Sequence, residues 1–438
     1  MRSPPPSPSG VRSTAVSTQT STTTTTRPTT EGRRRREALR AAALVAPIYL
    51  LATIVPQGGL ARGREYRDVG LYGQYAHGLL DGRIPYRDVF VEYPPGAFVV
   101  LTPPALLPDE AYRHAFKALM AVVGVATLVT AALILARLGV RRRRLYVTLV
   151  ALALTPLALG PVSLNTYDAW PALLAAGALC AVLYAQPTLG FALLGLAVTA
   201  KLYPIALLPL FCLAVAPRAL SRPLLAFGAV VLAVVGPFAL IGRDGLWESI
   251  EAQAGRSLQV ESLGGAMLLA ADRIGVYDAD VVGGSTAAVS RDLAGAVPDT
   301  LAAISSGLQL AAVLLVVWLV ARTAIDGERL VAGSAATVAG VLAFAKFISP
   351  QYLVWLLPLV PLVAPPLGVV ASIALAGAMV LGQLWFFHYR DLFAVEGIVW
   401  LVVLRDVLLV AVYGALAVAV FRLSTKMPSS SSTVRQRP

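Results

Sequence analysis

Apolar runs of membrane length recur along nearly the whole chain, and most of them end at a proline, a turn or a cluster of arginines. A helix needs about 20 consecutive apolar residues to cross a bilayer core. The lipid offers no hydrogen bonds, so a crossing segment must satisfy its own backbone. These runs are continuous and do not alternate, which favours helices over strands. The expected fold is therefore an all-α, polytopic transmembrane helical bundle. Only 14% of the residues are charged, against about 25% in soluble domains.

The net charge of +12 does not point to nucleic acid. Basic residues gather at segment ends: Arg33–Arg36 with Arg40, Arg141–Arg144, Arg218 with Arg222, Arg322 with Arg329, and Arg422 with Lys426. That is the positive-inside pattern, and it places those ends in the cytoplasm. The expected setting is the plasma membrane, multi-pass, with both termini cytoplasmic and membrane lipids as partners. Cys180 and Cys212 lie inside apolar runs and read as small buried side chains. Residues 1–37, rich in Ser, Thr and Pro, are expected to be a disordered cytoplasmic tail. Residues 38–423 form the transmembrane domain, and 424–438 a second cytoplasmic tail.

Spans are expected near 39–55, 115–138, 145–162, 169–186, 224–241, 301–320, 330–345, 353–364, 368–387 and 398–421. Residues 188–216 are broken at Lys201-Leu202-Tyr203-Pro204, and each half is too short to cross alone. A re-entrant hairpin tipped by Lys201 and Pro204 fits, with one tilted span as the rival. That makes about ten spans plus a hairpin, with large outer loops at 57–114 and 243–298. No internal repeat is visible, which weakens a two-halved transporter.

The polar residues gather on the outer side. Asp68, Asp88 and Glu92 lie in the first loop, Asn165, Tyr167 and Asp168 in a short one, and Arg256, Gln259 and Glu261 in the second. Lys346, Ser349, Gln351 and Tyr352 follow. This set suits transfer of a sugar carried on a lipid phosphate. The leaving phosphate needs cations more than a general acid, and Lys201, Arg256 and Lys346 are candidates. The acceptor hydroxyl needs a carboxylate to take its proton, with Asp68 the first choice and Asp88 the second. Each also has a plainer reading. Asp68 can pair with Arg64 or Arg67, Asp88 and Glu92 with Arg87 and Arg83, and Arg256 with Glu261; both lysines can snorkel to headgroups. His77, His114 and His388 are scattered, and no acidic or histidine set has ligand spacing, so no metal or cofactor is expected.

Asp68, Tyr72, PYRDVFVEYPPG (85–96), TAKLYPIALLP (199–209), RSLQVESL (256–263) and KFISPQYLVWLLP (346–358) together resemble glycosyltransferase family 87. The resemblance runs from about residue 40 to 365. It implies a GT-C-like integral-membrane transferase of the inverting kind, using polyprenyl-phosphate sugars, with the first-loop aspartate, Asp68, as base. It implies a polyprenyl-phosphate sugar donor and a lipid-linked or glycan acceptor. The expected sugar is a hexose, with mannose first, transferred at the outer face. The substrate-binding set is Asp88, Glu92, Tyr93, Lys201, Tyr203, Arg256, Glu261, Lys346, Gln351 and Tyr352. One departure is that SPQYLVWLLP lacks the histidines found there in members that resemble actinobacterial mannosyltransferases. A transporter or flippase of lipid-linked sugars, a non-catalytic membrane scaffold, and an arabinosyltransferase of the same fold stay open.

Overall fold

The computed structural model describes residues 1, 3, 30–57, 67–283, 291–387 and 396–425. Helix α1 (Thr30–Ile54) comes first. The stretch between α1 and α4 carries α2 (Arg67–Leu80) and the short α3 (Phe98–Leu101). Helices α4 (Asp109–Arg137), α5 (Arg142–Leu159), α6 (Val162–Asn165), α7 (Ala169–Leu183), α8 (Pro187–Ala200), α9 (Leu208–Ala214) and α10 (Ser221–Ile241) follow. The second large loop holds α11 (Arg243–Ala254), β1 (Leu258–Gln259), α12 (Leu263–Arg273), β2 (Asp280–Gly283) and β3 (Arg291–Ala294). The bundle closes with α13 (Ala296–Ala321), α14 (Gly327–Ala343), α15 (Leu367–Phe387) and α16 (Glu396–Thr425).

The chain is an all-α polytopic membrane protein. Among the described residues, six helices are long and apolar enough to cross a bilayer: α1, α4, α10, α13, α15 and α16. The sequence led us to expect about ten. The difference lies in shorter inner helices, such as α7 with 15 residues and α14 with 17. Helix α14 is buried on nearly every side from Arg329 to Ala343 and runs through the centre of the bundle. Helix α10, by contrast, turns Leu225, Leu232 and Leu240 outward, as a lipid-facing helix does. Residues 353–364, expected as a short span, form 3-10 turns over Pro350–Leu356 and Val360–Leu362. Pro350, Pro358 and Pro361 remove the amide donors a regular helix would need there.

One end of the bundle is lined with arginine. Arg142 pairs with Glu37 at 3.2 Å. Arg137 donates to the Leu183 carbonyl and Arg144 to that of Leu362, both at 2.7 Å. Arg329 donates to the carbonyl of Leu423. The start of α1, the α4–α5, α7–α8 and α13–α14 turns and the end of α16 therefore lie together. Gly139 makes the α4–α5 turn possible. Its φ of +68° lets Val140 N–H reach the Leu135 carbonyl, which closes α4 before the arginine run opens α5. Of the expected tails, residues 2, 4–29 and 426–438 lie outside the described residues. Residues 30–37 are the first turns of α1, so Arg33–Arg36 sit on a helix.

The break at Lys201 folds the chain back. Phe191 and Phe211 lie 20 residues apart, which is about 30 Å along a straight helix, yet their ring centroids are 6.2 Å apart. Lys201 itself is extended, with φ −159° and ψ 142°. Residues 187–214 thus form a hairpin with Lys201 and Tyr203-Pro204 at its tip. At the same end, β1, β3 and β2 pair antiparallel in that order. Leu258 faces Leu293 in the ladder. Both pack with Val260, Trp385, Val399 and Val402 into a small core of their own.

Candidate active site

Asp68 is the second residue of α2, where free helix N–H groups favour a carboxylate. Burial, and then the carboxylates of Glu92 and Asp168, push its pKa up to about 6 against the pull of Lys201. Charged groups from three other stretches of chain therefore act on Asp68. One turn along α2, Tyr72 is fully buried. Its ring meets Tyr93 edge-on at 5.5 Å and Tyr167 at 5.6 Å.

The EYPPG turn reaches this cluster because residue 96 is glycine. A Cβ there would stand 2.5 Å from Thr199 Oγ1 and 2.6 Å from the Ala200 nitrogen. The turn therefore lies directly on the end of α8, just before Lys201. It carries Glu92, which is 7% exposed, and Tyr93 to the same spot. The Tyr86 hydroxyl, donating to the Tyr93 carbonyl at 2.5 Å, fixes the turn from the other side.

Asp168, at the start of α7, is fully buried. Its Oδ1 accepts from Lys201 Nζ at 2.6 Å and from Trp355 Nε1 at 2.7 Å. Lys201 Nζ also lies 4.8 Å from the Tyr352 ring centroid and 4.9 Å from that of Tyr167. Trp355 stacks between Tyr203 at 4.0 Å and Tyr352 at 4.4 Å. The lysine is thus a fixed cation in an aromatic cage, with one of its three donors committed to Asp168. Three buried polar atoms of this cluster have no protein partner: Tyr72 Oη, Tyr203 Oη and Asp168 Oδ2. Buried polar atoms are normally paired, and unpaired ones gathered around carboxylates and a cation suit a polar ligand.

A family model, glycosyltransferase family 87, matches residues 90–350, more than half of the chain. The chain belongs to glycosyltransferase family 87. No curated protein matches it. The activity class follows: this is a membrane glycosyltransferase. Glu92, Asp168 and Lys201 fall inside the matched stretch, whereas Asp68 precedes it and Trp355 follows it.

In this family 87 glycosyltransferase the named site residues fall into three groups. Asp68, Glu92, Tyr93, Lys201, Tyr203 and Tyr352 come together as described. Arg256, Lys346 and Gln351 form a neighbouring rim. Arg256 stacks over Phe347 at 4.9 Å, and its charge reaches Tyr352. Lys346 Nζ donates to the Ala254 carbonyl at 2.7 Å, and Gln351 Oε1 accepts from Ser349 Oγ at 3.1 Å. The Lys346 carbonyl accepts from Gln259 N–H at 2.9 Å, and Gln259 Oε1 accepts from Ile348 N–H at 2.8 Å, stitching this rim to the second loop.

Asp88 and Glu261 stand apart. Asp88 pairs with Arg87 at 2.8 Å and accepts from Ile84 N–H at 2.7 Å; these bonds hold its carboxyl below the ordinary range. Glu261 Oε2 accepts from Trp385 Nε1 at 3.1 Å and lies 3.4 Å from Arg405 Nη1. Arg405 also donates to the Glu261 carbonyl, and its Nε donates to Asp406 at 2.9 Å.

Neither Trp355 nor the Arg405–Asp406 pair is expected at the site from the sequence, and Asp168 enters there only among the polar residues expected on the outer side. Two adjacent charges inside the apolar run of α16 were the readable signal for Arg405 and Asp406. Trp355 carried none, since a tryptophan near a segment end reads first as interfacial.

Proposed function

We propose that this glycosyltransferase moves a hexose, mannose first among the candidates, from a polyprenyl phosphate to a lipid-linked or cell-envelope acceptor, with Asp68 as the base. The observation that carries the reading is that Asp68 lies within electrostatic reach of the Asp168-anchored Lys201, on a helix whose Tyr72 packs against Tyr93 and Tyr167. The acceptor hydroxyl oxygen attacks the anomeric carbon, and the new C–O bond forms as the bond to the phosphate oxygen breaks. The proton passes to Asp68 Oδ. The bond electrons leave on the phosphate, beside Lys201, with Arg256 and Lys346 at the rim.

A raised pKa suits that base, since a carboxyl near 6 takes a proton more readily than one near 4 and is still ionised at neutral pH. Asp168 positions Lys201, because a caged lysine does not need to be ordered when the donor arrives. The arginine-lined end supports a cytoplasmic placement of both termini and an outward-facing site. On this reading residues 38–423 are the catalytic membrane domain in the plasma membrane.

The test is transfer of labelled sugar from synthetic polyprenyl-phosphate mannose by membranes carrying wild type or Asp68→Asn at equal expression. Activity that falls by at least about 100-fold in the variant is expected for loss of a general base. Equal activity in both removes Asp68 from the role. Transfer from an arabinose or glucose carrier, and none from the mannose carrier, overturns the choice of sugar.

A further inference from the structure

A cavity of about 480 Å³ opens on the opposite face of α2 from Asp68, against the first turns of α4. Its volume is that of a small-molecule site. Asp68 and Tyr72 mark one side of the helix, whereas Gly70, Gly73, Gln74, His77 and Asp81 follow a helical stripe on the other. Asp109, Arg113 and Arg83 line it as well.

Two features mark this cavity as a site for a neutral polyhydroxyl ligand. The first is charge. Asp81 and Asp109 balance Arg83 and Arg113, and His77 Nε2 lies 2.9 Å from Asp109 Oδ1. A free anion would meet two carboxylates there. Vicinal hydroxyls, which donate and accept at once, are matched by amide, imidazole, carboxylate and guanidinium groups together. The second is Gly70. A Cβ at this position would meet nothing within 4 Å, so packing does not demand glycine. Glycine in a helix is about 1 kcal/mol worse than alanine. What it secures here is a wall without a side chain.

We propose that this cavity binds a neutral sugar residue of the acceptor glycan. The inference rests on the reading that the acceptor's hydroxyl is deprotonated at Asp68. A helix is about 10 Å across, so the sugar held on the far face is not the one that reacts. It lies further along the acceptor, and α2 serves as a bracket with the base on one face and the glycan on the other.

The test is saturation-transfer NMR with the full chain in lipid nanodiscs and neutral disaccharides of mannose, glucose and galactose as probes. The wild type and Asp68→Asn are expected to give signal with at least one disaccharide. Gly70→Leu, which the open space at residue 70 tolerates, and His77→Ala are expected to lose it. No signal in the wild type, or signal retained in Gly70→Leu, overturns the proposal. So does signal from glycerol phosphate alone that Gly70→Leu removes, because the cavity is then a lipid-headgroup site. Sugar transfer from the polyprenyl donor is measured separately, so the proposed reaction can stand while the glycan site falls, or the reverse.

Discussion

Asp68 should cost the protein stability in proportion to its usefulness. Its carboxyl sits near pKa 6, against an ordinary value of 3.8. The native state therefore holds this proton more tightly than the unfolded chain does. Between about pH 4 and 6 the native state binds more protons, so stability falls as pH rises through that window. Below it the penalty is absent, and above it the penalty is complete. Two pKa units at 1.36 kcal/mol each amount to about 3 kcal/mol. Asn has nearly the same shape and no charge, so Asp68→Asn should be more stable than wild type by up to about 3 kcal/mol above pH 6. The two should converge near pH 4. Thermal unfolding of purified protein, followed by tryptophan fluorescence from pH 4 to 8, reads the difference directly. Asp88→Asn is the control of opposite sign, because Arg87 and the Ile84 amide stabilise that carboxylate. A melting difference for Asp68→Asn that stays flat across pH, or a variant less stable than wild type at pH 8, refutes the reasoning.

Gly96→Ala should break the contact between the EYPPG turn and α8, since its Cβ would meet backbone of Thr199 and Ala200 below 3 Å. Transfer is expected to fall by at least about 10-fold, as a misplacement of 1 Å can cost about 100-fold; unchanged activity would show that the turn need not lie there. Arg405→Met should destabilise the protein by about 3–5 kcal/mol by leaving the buried carboxylates of Glu261 and Asp406 unpaired. Adding Glu261→Gln and Asp406→Asn should restore most of the lost melting temperature, and no restoration would assign the loss to packing alone.

The membrane class, the arginine-lined end and the fold-back at Lys201 were legible in the sequence, because each follows from a local rule. Lipid demands long apolar runs, and Lys-Leu-Tyr-Pro halts a helix. The number of full crossings was less legible. Apolarity alone does not separate a lipid-facing helix such as α10 from a shorter inner one such as α14. The strands of the second loop were missed, since β1 is two residues long and means nothing without β3 beside it. Asp68, Glu92 and Lys201 were readable as unusual charges. The bond from Asp168 to Lys201 spans 33 residues, and that from Asp168 to Trp355 spans 187. No spacing rule reaches contacts of that length. Glu261 shows the same limit from the other side: a loop carboxylate reads as available for substrate, while its partner Arg405 lies 144 residues away in a helix read only as a span.

That partnership bears on how the enzyme can be cut and recombined. Glu261 lies five residues after Arg256, and Gln259 between them grips the chain around Lys346. The other half of the clasp, Arg405 with Asp406 and Trp385, belongs to α15 and α16, beyond the stretch that the family model matches. A chimera that exchanges the last two helices for those of a relative must therefore carry a matching residue at position 261. A truncation after residue 365 would remove more than a membrane anchor: the rim of the site would lose the post from which it hangs.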